Sequence, residues 1–368
     1  MNKVRVKKRY KKKKKNFAQI VFYFCLILAT IIWAFYEVTK PQIAKEWADS
    51  RVIHTQNILL PKDDGYHSDK MEWWYYNGHL VTESGKKYSF HFTTFLVNHL
   101  MTHTVFHSSL SDHSRNRHYT DQSRTGGNPS AGVKNSFNFE YRDWLMMGKN
   151  GSDRLKVAND HFAFDLQLEN SQPVVTHSNN GIISLGFAGS SYYYSRTRMN
   201  ITGVLEVDGK KELVNGMSWF DHQWGDFLPT KLSWDWFSLQ LDNGIDLMLY
   251  QLRDKQGNPM RDKQGNSVLY FVSVSESGIT EILNNTEFLL TPGAKWVSKK
   301  TGNSYPVFWS LTIPEKKIDI KIEGIIKNSE FNAKATTYLT YWEGAVTIKG
   351  SHTGQGFMEL QGYGPENK

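Results

Sequence analysis

Polar and apolar residues alternate along most of the chain beyond residue 50, and this alternation predicts β-strands. Ile318, Ile320 and Ile322 alternate with charged residues, as in a strand with one buried face. Residues 236–241 and 245–252 flank an Asp-Asn-Gly turn, which is the sequence pattern of a tight hairpin. Many short strands at regular spacing favour antiparallel barrels or sandwiches over a parallel α/β sheet.

Charge and hydropathy single out the N-terminus. The formal net charge is +8, but ten of the 44 Lys and Arg residues lie between Lys3 and Lys15, so the rest of the chain is close to neutral. Nucleic-acid binding by the body therefore has little support. Residues 17–35 carry no charge and are long enough to cross a bilayer as a helix. The basic run before them predicts, by the positive-inside rule, that the body lies outside the cytoplasm.

A cleaved signal peptide is the alternative to a membrane anchor at residues 17–35. Bulky residues near the end of the segment, among them Ile31, Trp33 and Phe35, favour an uncleaved anchor over a cleavage site. The single cysteine, Cys25, lies inside this segment. The body therefore has neither an internal disulfide nor a cysteine-based metal or redox site.

Residues 216–227, GMSWFDHQWGDF, combine titratable and aromatic side chains more densely than any other stretch. A strand here would place His222 and Trp224 on one face and Asp221 on the other. Asp221 and His222 are therefore no dyad. His222 and Trp224 either face a ligand pocket or belong to a packed core, and Asp221 is expected to make a structural hydrogen bond.

The aromatic segment at residues 72–80, EWWYYNGHL, is followed by turn residues and a second apolar strand, as in a hairpin. Strand alternation puts Glu72, Trp74 and Tyr76 on one face. The two rings either fill a core or contact a ligand. Glu72 is costly to bury without a partner, so it is either an exposed residue at the strand end or a functional acid.

Five histidines cluster between residues 99 and 118, namely His99, His103, His107, His113 and His118. The first three would lie on one face of a helix or of a strand, but a strand would hold successive members about 13 Å apart. That distance is too large for one metal ion. The segment is more typical of a strand, so no metal site is expected there.

Seven motifs follow one another in an order that resembles the carotenoid 1,2-hydratase and AttH-like family, whose bacterial members are often labelled predicted secreted hydrolases. They are EWWYYNGHL, HSSLSD (107–112), YYYSRTRM (192–199), GMSWFDHQWGDF, WDWFSLQLDNGIDLMLYQLR (234–253), YWEGAV (341–346) and GFMELQGYG (356–364). The resemblance covers Asn57 to Gly364. It implies an all-β fold of two tandem lipocalin-like antiparallel β-barrel domains, preceded here by a single N-terminal transmembrane helix. The expected organisation is a basic tail (1–16), the anchor (17–35), a stalk (36–50), and barrels at 51–229 and 230–368.

The resemblance also implies site residues. The hydratase branch has a functional His-x-Trp in the fourth motif, which His222 and Trp224 match, and a Tyr-x-Asp on a following strand. Tyr250 matches that tyrosine, but Leu252 stands where the acid is expected. The catalytic candidates are therefore His222, Tyr250 and Glu72. The ligand-binding candidates are Trp224, Trp74, Tyr76, His107 and Trp236, and neither a metal nor another cofactor is expected.

Three functions remain open. The first is a single-pass protein of the cytoplasmic membrane whose body binds an apolar small molecule, such as a lipid, terpenoid or polyene, in association with ABC-transporter components that the resemblance implies. The second is a hydratase-like, isomerase-like or hydrolase-like enzyme that does acid–base chemistry on such a molecule with His222 and Tyr250. The third is an interaction module of the cell envelope. The label hydrolase has no visible nucleophile motif behind it.

Overall fold

The structure, a computed structural model, describes residues 58–364 apart from 179–180, 228, 230–231, 255–256, 262–264, 266–267, 269 and 277–278. The predicted tail, anchor and stalk lie outside the described residues. Within the described part, no helix is long and apolar enough to span a bilayer. Regular structure consists almost wholly of antiparallel strands, as the alternating pattern predicts.

The first half of the described chain forms one sheet of twelve strands. In chain order these are β1 Met71–Thr82, β2 Lys87–Asn98, β3 Thr102–Asp112, β4 Arg117–Gly126, β5 Phe137–Tyr141, β6 Trp144–Lys149, β7 Ser152–Ala158, β8 Phe162–Asn170, β9 Val175–Thr176, β10 Ile182–Ser184, β11 Ser190–Val207 and β12 Lys210–Gly225. The spatial order along the main path is β4-β3-β2-β1-β12-β11-β8-β7-β6-β5. The two predicted motif strands, β1 and β12, are therefore neighbours at the centre.

The second half forms a sheet of ten strands and a separate two-stranded ribbon. The sheet contains β13 Ser233–Leu241, β14 Asp246–Arg253, β15 Tyr270–Glu276, β16 Ile279–Asn284, β17 Leu289–Pro292, β20 Phe308–Ile313, β21 Ile318–Gly324, β22 Glu330–Ala333, β23 Leu339–Gly350 and β24 Gly354–Gln361; the ribbon pairs β18 Lys295–Val297 with β19 Ser304–Pro306. The central strands of the ten-stranded sheet lie in the order β14-β13-β24-β23. The predicted hairpin at residues 236–252 is confirmed as β13 and β14.

Each sheet curls around its own apolar core, which makes both barrel-like. Trp74, Tyr76 and Phe220 lie in the first core, and Phe237 and Trp309 lie in the second. The buried isoleucines of β21 alternate with exposed charged residues, as predicted. Burial of these side chains, at about 25 cal/mol per Å² of apolar surface, is the main force that closes each barrel.

A third apolar cluster joins the outer face of the first sheet to the second sheet. Its members include Tyr75 and Tyr193 from the first sheet and Trp236 and Tyr250 from the second. The central strands are thus buried on both faces, one face in a barrel core and the other against the partner sheet. The first sheet ends at Gly225 and the second begins at Ser233, and the domain boundary predicted at residue 229 lies in the segment between them.

Candidate active site

A cavity of about 340 Å³ lies between the two sheets, within the range of small-molecule sites. Its walls come from β1, β2, β3, β4, β11 and β12 on one side and from β13, β14, β23 and β24 on the other. Most of the lining is aromatic or aliphatic, including Trp73, Phe95 and Trp236. The turn after β22, with the exposed Tyr338, borders the cavity.

One row of side chains crosses four strands of the second sheet at the same level. Tyr250 on β14 is opposite Trp236 on β13, Trp236 is opposite Glu359 on β24, and Glu359 is opposite Glu343 on β23. All four residues line the cavity. Two glutamates directly opposite each other in neighbouring strands repel when both are ionised. The row therefore places the carboxyl groups of Glu343 and Glu359 next to each other and beside the rings of Trp236 and Tyr250.

The environment of the glutamate pair keeps protons on it. Burial raises the pKa of Glu343 well above its ordinary value, and the charge of Glu359 raises it further, against a hydrogen bond from Tyr75. Burial also raises the pKa of Glu359 to about 8, against a hydrogen bond from Trp234 and with a contribution from the Asp221 charge. At neutral pH the pair holds at least one proton that it can donate to a molecule in the cavity.

A matching row crosses the first sheet. His107, Thr93, Tyr75, Asp221 and Ser195 are opposite one another on β3, β2, β1, β12 and β11 in turn. Asp221 accepts hydrogen bonds from Trp219 Nε1 at 2.6 Å, Tyr193 Oη at 2.5 Å and the Ser195 hydroxyl. Burial raises the pKa of Asp221 to about 7, although these hydrogen bonds lower it. This carboxyl is therefore balanced between accepting and donating a proton near neutral pH.

Direct hydrogen bonds join the two sheets beside the cavity. Tyr75 Oη donates to Glu343 Oε1 at 2.8 Å, and Trp236 Nε1 donates to Tyr193 Oη at 2.9 Å. Glu343 Oε2 is buried and has no hydrogen-bond partner within the described ranges. One glutamate oxygen is thus fixed by the first sheet, while the other has its acceptor or donor capacity unused.

Three of the predicted site residues line the cavity, namely His107, Trp236 and Tyr250. His107 contacts Tyr341 Oη at 2.9 Å and Thr336 Oγ1 at 2.8 Å, and burial lowers its pKa to about 3, so it is a neutral wall residue. Burial raises the pKa of Tyr250, and the charges of Glu359 and Asp221 raise it further. Tyr250 therefore remains a neutral hydroxyl close to both carboxyl groups.

The other five predicted residues lie in the interior of the first barrel. They are Glu72, Trp74, Tyr76, His222 and Trp224. Strand alternation separates His222 from Asp221 as predicted, and His222 and Trp224 do not line the cavity between the sheets. Asp221 and Gln223 line it instead. Alternation could not decide between the faces because both are buried.

The structure joins two of the catalytic candidates within this barrel interior. Glu72 Oε1 accepts hydrogen bonds from His222 Nε2 and from His67 Nδ1, both at 2.7 Å. His67 stacks on Trp224 with ring centroids 4.1 Å apart. Burial lowers the pKa of His67, but hydrogen bonds to Asp63 and Glu72 outweigh it and raise the pKa to about 9. The ligand atoms of His67, Glu72 and His222 lie within 4.8 Å of one another, close enough to hold a metal ion.

A buried ion pair lies beside these residues. Arg196 Nη2 is 2.7 Å from Asp64 Oδ1, and both side chains are almost fully buried. Tyr194 Oη donates to the same Asp64 oxygen at 2.6 Å and is 3.3 Å from His222 Nδ1. The barrel interior therefore compensates its carboxylates with cationic and hydroxyl partners.

A comparison with protein families finds that residues 51–363 match the AttH-like family. The chain belongs to the AttH-like family. Among solved structures, an AttH protein from Nitrosomonas europaea is 28% identical with a TM-score of 0.74, covering 85% of this chain and 99% of that one. Kievitone hydratase from Nectria haematococca is 17% identical with a TM-score of 0.68, covering 84% and 94%, and shares the fold. The dehydratase asqC of Emericella nidulans is 23% identical over 305 residues, 79% of this AttH-like chain and 83% of the relative.

Reasoning from sequence missed the residues that give this AttH-like protein its acid pair. Glu343 and Glu359 were visible as single carboxylates within apolar strand segments, and the argument applied to Glu72 applies equally to them. Their pairing was not visible, because it depends on the register of β23 with β24. His67 was missed because it precedes the first motif. Of the histidine cluster, His99, His103 and His107 line the cavity, whereas His113 and His118 contact Ser89 and Ser111.

Proposed function

We propose that this AttH-like protein is an acid–base enzyme that adds water to, or removes water from, an apolar small molecule held between its two sheets. The observation that carries the proposal is the pair Glu343 and Glu359, opposite each other on adjacent strands in an apolar cavity. A carboxyl group kept protonated at neutral pH is the proton donor that such a reaction requires.

The roles follow from the two rows. In the direction of dehydration, the Glu343–Glu359 pair gives its proton to the leaving hydroxyl, the C–O bond breaks, and Asp221 takes the proton from the neighbouring carbon as the C=C bond forms. Water leaves, and a proton returns from Asp221 to the pair through solvent. The faces of Trp236 and Tyr250 stabilise positive charge that develops on carbon. Hydration runs the same steps in reverse.

The relatives support this class of reaction. One relative is named a dehydratase and a solved neighbour is named a hydratase, and these names describe opposite directions of one reaction. The substrate class proposed for this chain, a hydroxylated or unsaturated terpenoid, polyene or lipid, follows from the apolar lining of the cavity. The acid that the resemblance places two residues after Tyr250 is replaced, in this proposal, by glutamates from β23 and β24.

The test uses the full-length chain in lipid nanodiscs, incubated in ¹⁸O-labelled water with a panel of acyclic terpenoid alcohols and polyenes. Mass spectrometry follows the gain or loss of one water. We expect Glu359→Gln to lower turnover by about 10²- to 10⁴-fold, the usual contribution of a general acid. Glu323→Gln, at an exposed position of β21, is the matched control and should keep full turnover. Equal turnover by wild type and Glu359→Gln would remove the pair from the chemistry.

A binding protein is the second candidate, and the aromatic lining of the cavity favours it. In that case an apolar compound should co-purify with the full-length chain and be retained by Glu359→Gln, with no chemical change in either sample. Trp236→Ala should then release the compound, both in the wild-type chain and in combination with Glu359→Gln.

We also infer, from sequence alone, that residues 17–35 hold the body on the outer side of the cytoplasmic membrane and that ABC-transporter components associate with it. Protease added to spheroplasts should digest the body if this orientation is right. Protection of the body would place it on the other side. In-cell cross-linking should recover a transporter subunit, and its failure to do so would argue against that partner.

A further inference from the structure

The four ring nitrogens of His67 and His222 all lie next to oxygen atoms. Nδ1 of His67 and Nε2 of His222 are both 2.7 Å from Glu72 Oε1. Nε2 of His67 is 3.5 Å from Asp63 Oδ1, and Nδ1 of His222 is 3.3 Å from Tyr194 Oη. The Tyr194 hydroxyl donates its proton to Asp64, so its oxygen can only accept from His222.

These contacts demand more protons than two neutral imidazoles carry. Each neutral ring has one N–H, so the pair supplies two donors for four acceptor contacts. Glu72 Oε2 adds no donor, because it accepts the backbone N–H of His67 at 2.8 Å. The contacts are filled only when this largely buried cluster carries added positive charge, either as extra protons on the rings or as another cation.

We propose that His67 Nδ1, Glu72 Oε1 and His222 Nε2 bind one divalent transition-metal ion, and that Zn²⁺ is the ion that suits them. Two histidines and one glutamate, with a fourth position for water, form a ligand set that zinc uses. With metal bonds of about 2.0–2.1 Å in tetrahedral geometry, neighbouring ligand atoms lie about 3.3 Å apart. The two 2.7 Å contacts therefore need to open by only about 0.6 Å.

The surroundings supply the outer shell that a metal site needs. Ligating histidines usually donate their second N–H to a carboxylate or another oxygen, and here Asp63 and Tyr194 are in those positions. Asp63 is itself held by the backbone N–H of Leu59 at 2.7 Å. The His67 side chain is 20% exposed, which gives the ion a path from solvent.

The ion has a structural role, because its ligands come from different parts of the fold. His67 precedes β1, Glu72 lies near the start of β1, and His222 lies on β12. Metal binding fastens the segment before β1 to the centre of the first sheet. The site lies on the barrel side of these strands, so it is separate from the acid pair and independent of the proposed function. Sequence reasoning alone predicts no metal here, because His67 belongs to none of the seven motifs.

The experiment titrates Zn²⁺ into the full-length chain in nanodiscs after removal of metals with a chelator. We expect one tightly bound Zn²⁺ per chain by calorimetry, a rise in the melting temperature, and a Co²⁺ visible spectrum typical of tetrahedral coordination. His67→Ala, at a partly exposed position, should weaken binding by more than about 100-fold, beyond the 10- to 100-fold cost of losing an outer-shell partner. Asp63→Asn should weaken it by about 10-fold.

His161→Ala is the control, since His161 is an exposed histidine remote in sequence from the cluster, and it should leave binding unchanged. Circular dichroism of each variant checks that the fold is retained. The proposal is overturned if the wild-type chain takes up no stoichiometric Zn²⁺, or if His67→Ala binds it as tightly as wild type. It is also overturned if NMR finds both rings doubly protonated in the presence of excess Zn²⁺.

Discussion

The two faces of β1 and β12 bury carboxyl groups in opposite ways. On the barrel side, Asp64 is paired with Arg196, and Glu72 accepts hydrogen bonds from two histidines. On the cavity side, Asp221 and Glu343 have hydrogen bonds but form no ion pair with Lys or Arg anywhere in the described ranges. The barrel-side carboxyls have partners that hold the fold together, whereas burial without a cation raises the pKa values of Asp221 and Glu343 and leaves protons there to give away.

The largest effect is expected from breaking the barrel-side ion pair. Arg196→Met leaves Asp64 buried without its cation, so we expect a loss of about 3–5 kcal/mol in the free energy of unfolding. Urea denaturation measures it. Arg154→Met breaks an exposed pair with Asp165 and should cost only about 0–1 kcal/mol. Similar losses in the two variants would contradict the assignment of a structural role to the barrel-side pair.

The cavity-side carboxyls should give the protein a pH dependence. In the unfolded chain Glu359 and Asp221 lose their protons near pH 4, whereas in the folded protein they keep them until about pH 8 and 7. The folded state therefore binds more protons in this window, and stability falls as pH rises through it, by up to about 1.4 kcal/mol per pH unit and group. Turnover in the dehydration direction should fall above pH 8 as the donor ionises.

Denaturant titrations between pH 4 and 9 measure this slope. Glu359→Gln removes one of the titrating groups, so its stability curve should be flatter than that of wild type. A curve that rises with pH over the same window would show that the cavity-side carboxyls are ionised in the folded protein.

Adjacent tyrosines on β1 offer a matched pair of smaller changes. Tyr75 donates to Glu343 in the cavity and Tyr76 donates to Asp153 in the barrel, both at 2.8 Å. Each Tyr→Phe change removes one buried hydrogen bond and should cost about 1–2 kcal/mol. Only Tyr75→Phe should also move the alkaline limb of turnover to higher pH. The hydrogen bond from Tyr75 lowers the pKa of Glu343, so its removal lets that pKa rise. An equal shift in Tyr76→Phe would break the distinction between the faces.

The smallest effect is expected at the mouth of the cavity. Tyr338 is 80% exposed and borders the cavity, so Tyr338→Asn should change stability by less than about 0.5 kcal/mol. Loss of its ring should raise KM about fivefold, the equivalent of roughly 1 kcal/mol. Phe187→Asn, at an exposed aromatic residue outside the cavity lining, should leave KM unchanged. Steady-state kinetics on both variants decides whether the mouth contacts the substrate.

The sequence predicted the all-β fold and its main hairpins because alternation and turn residues are local signals. It also separated His222 from Asp221 correctly. The sequence could not assign a function to either face of β1 and β12. Both faces pack against apolar partners, so the alternating pattern does not distinguish the cavity side from the barrel side. Glu72 and His222 were both singled out, but their 2.7 Å contact depends on strand register, which is set by residues far apart in the chain.

The two-sided burial of the cavity strands also bears on which molecules they admit. Trp236 and Tyr250 alternate with Phe237 and Leu249, whose side chains fill the second barrel, and Tyr75 alternates with Trp74 in the first. Widening the cavity would require both close-packed cores to shift, and such cores resist compression. Selection by size is the result: among molecules of equal hydrophobicity, those already held in the shape of the cavity should bind better than those that must give up conformational freedom to enter it.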